Sequence, residues 1–312
     1  MNRILLAIAL ALAGCGKAAE PTKPEEPKPG GTTAPVPAPG GATDQPGTHT
    51  PMPPTVPGPT NLTPSDPSQQ LAMQFIQDLR IASEKPEPLP ADFLPRLSPA
   101  FLKTIGKPLR SDDDKKLGYS ANEASAWLKN LGARLVGVGL PTGYGSPTAA
   151  VLTGVTGNGS GRFLIRMTFH EGWKVDWVSL GSIAVPPIKP ASTESSYQDF
   201  AALAFLDALT STATSKDDRV RLLGGVSSTK LKAAWAEPFE QDKASGLDYN
   251  PTKLGIKLDE LGRGVTGLSR TPADGDTFKV ELAKGDAKTS YTLKLVKGAA
   301  PGEWLVDEFT KQ

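Results

Sequence analysis

Apolar and polar residues change period along this chain, and the same change occurs twice. Between 68 and 83, Leu71, Phe75, Ile76 and Leu79 take the i, i+4, i+5, i+8 spacing of one helical face. A shorter helix is predicted near 91–105, opening in Pro-rich sequence. The stretch SANEASAWLKNLG (120–132) starts on Ser120 with Glu123 three residues later, a capping-box pattern, and Gly132 marks its stop. Alternation then takes over. It predicts strands at 134–140, 147–157, 161–170 and 172–181, with His170-Glu171-Gly172 as a tight hairpin between the last two. Further along, helices are predicted near 196–212, 227–240 and 250–261, and strands near 264–271, 276–284, 288–297 and 303–310.

The two series match residue by residue. LAMQFIQDL (71–79) aligns with AALAFLDAL (201–209), placing Phe75 on Phe205 and Leu79 on Leu209. LSPAFLKTIGKPL (97–109) resembles VSSTKLKAAWAEPF (226–239), and GYSANEASAWLKNLG (118–132) resembles DYNPTKLGIKLDELG (248–262), with Tyr119 on Tyr249. Each series finishes on a tryptophan strand, GWKVDWV (172–178) and GEWLVDEF (302–309). Matches in one order at a nearly constant offset near 130 mean one structural unit used twice. The predicted fold class is α+β: two tandem repeats, each with two or three N-terminal helices packed on a curved antiparallel sheet of about four strands. The domains are 68–183 and 196–312, joined through 184–195, which contains Pro and Ser. In the first final strand Trp173, Val175 and Trp177 share one face while Lys174 and Asp176 take the other. Trp173 and Trp304 read as core wedges, structural rather than functional; the alternative is an aromatic ligand box.

The sequence before residue 68 is of another kind. After Met1-Asn2-Arg3, residues 4–14 (ILLAIALALAG) form an apolar run too short to span a bilayer as an ordinary helix. Residues 15–67 are dominated by Pro, Gly, Thr and Ala, with little apolar surface to offset the entropy of ordering them. They read as a disordered, semi-rigid tether, and about 50 residues of polyproline II would reach about 150 Å. The whole chain of 312 residues has 30 Pro and 32 Gly, 34 Lys and Arg against 33 Asp and Glu, and a net charge of +1. That balance argues against a nucleic-acid partner held through phosphates. The single cysteine, Cys15, excludes an intramolecular disulfide and a thiolate metal cluster, and two histidines, His49 and His170, leave little for a histidine metal site.

Leu12-Ala13-Gly14-Cys15 resembles the lipobox of bacterial lipoproteins. The resemblance implies a signal peptide over 1–14, cleavage before Cys15, and lipidation of the Cys15 thiol. The localisation it implies is the bacterial cell envelope, with the membrane as partner through the N-terminal anchor; two or three acyl chains hold where one would not. A plain secretory signal with a chance cysteine is the alternative. In the repeated part, helices followed by a meander closing on a GWKVDWV-type strand resemble the nuclear transport factor 2-like cone fold of the cystatin-like group. Enzymes of that fold place an Asp or His with a Tyr inside the pocket.

Here the interior is expected to be lined by Phe, Leu, Val, Ala and Trp. His170 lies beside a turn, while Tyr119 and Tyr249 stand at helix starts. The run SDDDKK (111–116) lacks the alternating spacing and Gly of a calcium loop and reads as a solvated turn before a helix. GNGSG (157–161) precedes a strand, so it reads as a hairpin turn and not a phosphate loop. No catalytic residue, cofactor or metal is expected. The preferred reading is a non-catalytic, membrane-anchored envelope lipoprotein that binds an envelope protein or a glycan. The alternatives are a carrier of a small apolar ligand in the cone pocket and a pocket enzyme on the same scaffold.

Overall fold

The structure, a computed structural model, describes residues 60–157, 161–185, 188–300 and 302–312. The signal peptide expected over 1–14, Cys15, His49, most of the expected tether and the middle of the GNGSG turn lie outside the described residues. The first half runs β1 (Thr60–Asn61), α1 (Pro67–Ser83), a 3-10 turn (Leu94–Arg96), α2 (Pro99–Ile105), α3 (Asp112–Leu117), α4 (Ala121–Gly132), β2 (Thr142–Gly145), β3 (Ala149–Thr156), β4 (Gly161–Phe169) and β5 (Trp173–Gly181). The second runs α5 (Thr193–Thr210), α6 (Lys216–Val226), α7 (Thr229–Ala236), α8 (Glu240–Ala244), α9 (Pro251–Gly262), β6 (Gly267–Pro272), β7 (Thr277–Lys284), β8 (Ala287–Lys297) and β9 (Trp304–Lys311). The fold is α+β, with two antiparallel meanders in strand orders β1-β2-β3-β4-β5 and β6-β7-β8-β9.

Each half carries more helices than the two or three expected. Asp112–Leu117 is a helix rather than a turn, because Ser111 and Asp114 cap it reciprocally. Helix α6 was not expected at all. The strand expected at 134–140 does not form: Gly137 takes a φ of +69° and only Val138 bridges, to Thr156, so this stretch adds no strand to the meander. Thr60 and Asn61, assigned to the tether on sequence, pair with Gly145 and Tyr144.

The repeat extends to single hydrogen bonds. Ser98 caps α2, its backbone N–H donates to the Val175 carbonyl (2.8 Å), and its hydroxyl donates to Asp176 on the last strand (2.5 Å). Ser228 caps α7, its N–H donates to Val306 (2.9 Å), and its hydroxyl donates to Asp307 (2.8 Å). Both final strand pairs break register at one place, between Arg166 and Met167 and between Lys294 and Leu295. Gly132 and Gly262 end α4 and α9 against the carbonyls of Leu79 and Leu209, approaches that a Cβ would block.

The described residues of both halves fall in one compact unit, and α5 explains why. Every residue from Phe200 to Thr210 is buried, the signature of a helix covered on all sides. On one side Phe200 meets Trp177 of β5 (ring centroids 6.4 Å, edge-on) and Asp207 pairs with Arg162 of β4. On the other Phe205 packs on Phe309 of β9 (5.3 Å), and Asp199 accepts two bonds from Arg270 of β6 (2.7 Å each). The first sheet therefore has α1 on one face and α5 on the other, and α5 in turn covers the inner face of the second sheet.

Candidate functional site

The residues singled out in the sequence do not converge. Trp304 is buried (4% exposed), with the Lys297 ammonium 5.5 Å from its ring centre. Trp173 is only part-buried and stands edge-on to Phe169, itself 52% exposed. The buried indole of that strand is Trp177, which touches Phe101 as well as Phe200. His170 is exposed on its hairpin. Tyr119 is part-buried and Tyr249 fully so; burial pushes the Tyr249 phenol up, out of any range in which it would ionise. Among the described residues no three His, Cys, Asp or Glu side chains gather as a metal-binding group.

The polar side chains that do converge lie in the seam between the halves. The loop after α2 meets the loop after α8: Leu109 N–H donates to the Ser245 carbonyl (3.0 Å), and the Lys107 ammonium donates to the Gly246 carbonyl. Arg221 of α6 reaches across to the Ile105 carbonyl (3.0 Å) and to Glu123 of α4 (2.8 Å). Helix α6 can press this close because Gly224 and Gly225 leave room for the Tyr249 ring and the Thr104 side chain. The result is a cleft of about 440 Å³, walled by Lys103, Thr104 and Lys107 from the first half and by Arg221, Lys232, Asp248, Tyr249 and Glu303 from the second. Beside it lies a second hollow of about 410 Å³ that shares Lys107, Arg221, Leu247 and Tyr249. Its walls add Pro108, Val220, Pro251 and Ile256, with Lys216 and Asp217.

Charge in the cleft is one-sided. Lys103, Lys107, Arg221 and Lys232 face Asp248 and Glu303. Lys232 is paired with Asp248 (2.5 Å), and Arg221 with Glu123. Lys107 has only the Gly246 carbonyl, and Lys103 has no ion-pair partner among the described residues. Burial lowers the Lys107 ammonium below its ordinary value; Asp248 opposes this, and Lys103 and Lys232 add to it. Like charges thus crowd where solvent is partly excluded. Sequence reading missed this cleft because its cations come from both halves, Lys103 and Lys107 from the first and Arg221 and Lys232 from the second, in a chain whose surface lysines are mostly solvated.

No protein-family model matches the chain, and no curated protein matches it. Among solved structures, a cystatin-like protein from Ruminococcus gnavus ATCC 29149 is similar at 8% identity, covering 78% of this chain and 94% of that one, with a TM-score of 0.15. A score that low carries no argument about this chain.

Proposed function

We propose that this chain is an exported lipoprotein of the bacterial cell envelope, anchored through an acylated Cys15, and that its folded part is a non-catalytic binding module. On this reading its halves are nuclear transport factor 2-like cones fused into one body. The observation that carries the binding role is the seam cleft: neither half encloses it alone, and cations outnumber anions in its walls, four to two. The sheet interiors offer less, since Phe75, Ile76, Leu152 and Phe163 fill the first and Phe205, Leu254, Leu293 and Phe309 the second.

Two measurements test this. Cys15→Ser should leave unprocessed precursor and shift the chain out of the detergent phase; an unchanged mature mass refutes the anchor. A photo-crosslinking residue at Lys103, on the cleft rim, should capture an envelope molecule that the same residue at Lys279, on the outer face of the second sheet, does not. Equal capture at both positions refutes the cleft as the binding site.

A further inference from the structure

We infer that the seam cleft takes an amphipathic anion: a phosphate-type or carboxylate head group held among Lys103, Lys107 and Lys232, with an apolar body lying along Val220, Leu247, Pro251 and Ile256. The inference rests on the cleft being the binding site and adds the chemistry of what enters it.

Three features support it together. The first is the charge imbalance. Neither Lys107 nor Lys103 makes an ion pair among the described residues, and Lys107 is half-buried with Lys103 and Lys232 as well as Asp248 around it. Asp248, already paired with Lys232, offsets only part of the cost of desolvating Lys107, and an anion entering between these amines lowers the remainder and gains charge-assisted hydrogen bonds. The second is the change in wall chemistry between two hollows that share four lining residues. Lys103, Lys232 and Asp248 line only the first, whereas Val220, Pro251 and Ile256 line only the second, together with Lys216 and Asp217, and Ile256 is 58% exposed although it lines this hollow. An inorganic ion would use only the basic end; a wholly apolar ligand would bring nothing to the lysines. The third is size. About 440 Å³ and 410 Å³ both fall within the range of small-molecule sites, roughly 300–1,000 Å³.

The test uses the folded chain and three probes: hexyl phosphate, inorganic phosphate and hexanol, titrated by calorimetry at low salt. Hexyl phosphate should bind at least about tenfold more tightly than either part of it. Lys107→Gln and Lys103→Gln should each weaken it about tenfold, and Ile256→Asp should reduce its preference over inorganic phosphate. Lys103 is exposed and lies outside the core, so its variant stays informative if Lys107→Gln disturbs the seam. Flotation with phosphatidic acid vesicles separates the two sources of such a head group. Vesicle binding lost in both lysine variants marks a membrane lipid, whereas hexyl phosphate binding without it marks a soluble ligand, and either upholds the site. The inference is overturned if hexyl phosphate does not bind at millimolar concentration, binds no more tightly than phosphate, or binds equally to both lysine variants. If crosslinking at Lys103 still captures a molecule in that case, the cleft stands as the binding site and only the ligand class falls.

Discussion

Truncating the three tryptophans of the final strands to alanine, one at a time, separates the packing role from any other. Trp177 is 4% exposed between Phe101 and Phe200, so Trp177→Ala leaves a void under both α2 and α5. Deleting a buried Trp side chain costs about 3–5 kcal/mol. The Trp177 indole N–H has no hydrogen-bond partner in the fold, so its removal returns part of a desolvation penalty of about 1–3 kcal/mol. That places Trp177→Ala near the low end, about 3 kcal/mol. Trp304 is equally buried and also carries the Lys297 contact, which puts Trp304→Ala at about 4 kcal/mol. Trp173 is part-exposed and backed mainly by the exposed Phe169, so Trp173→Ala should cost only about 1 kcal/mol. Urea unfolding followed by circular dichroism reads these differences directly. In a thermal scan, about 2–4 °C per kcal/mol gives a fall of about 6–12 °C for Trp177→Ala. Because Trp177 lies against α5, the whole unit should move as one transition. Equal losses for Trp173 and Trp177, or a melt that splits with only one part shifted, would refute the reasoning.

Ser98→Ala and Ser228→Ala each delete a helix cap and a bond to the last strand, so each should lower stability by about 1–2 kcal/mol in urea unfolding, and by similar amounts because the two sites are built alike. Gly262→Ala drives a methyl into the Leu209 carbonyl and should cost about 2 kcal/mol or more, read as a lower urea midpoint. Burial holds the Asp207 carboxyl above its ordinary value of 3.8, against the pull of Arg162. The fold therefore keeps this proton at pH values where the unfolded chain has lost it. Its contribution to stability is complete below that ordinary value and is lost as pH rises through the folded one. Asp207→Asn should flatten the dependence of the urea midpoint above about pH 4, and a slope unchanged from the parent would contradict this.

The duplication was legible in the sequence because the residues that enforce it are the ones that cannot vary freely in shape. Phe75 and Phe205, Leu79 and Leu209, Tyr119 and Tyr249, and Gly132 and Gly262 all keep a spacing of 130. The strands from 147 onward were legible from alternation alone. Helix α6 was not, since KDDRVRLLGGV carries two glycines that read as a loop until Tyr249 and Thr104 are seen pressing on them. The stretch RLVGVGL alternates like a strand, yet its backbone turns left-handed at Gly137 and only Val138 makes a bridge. In GWKVDWV the register break of the β4–β5 pair falls within the run, and Trp177, not Trp173, becomes the deeply buried residue. The cleft was invisible because it depends on how the halves meet, which periodicity within either half does not encode.

The two sheets present opposite outer faces at matching positions. Leu164 and Trp177, which look onto α5 in the first sheet, correspond to Thr292 and Glu308 in the second, and Thr153 corresponds to the exposed Lys279. In the first copy this face is a socket for the next copy's leading helix. In the second copy the same positions carry hydroxyls and charges, and Glu308 is tied to Lys230. A stack built by laying each unit's first helix on the preceding unit's sheet could in principle continue without limit. The second sheet instead offers a face that water can cover, so it gives no comparable seat for a helix. Converting Lys279, Thr292 and Glu308 to apolar residues would recreate the socket and should make the chain self-associate.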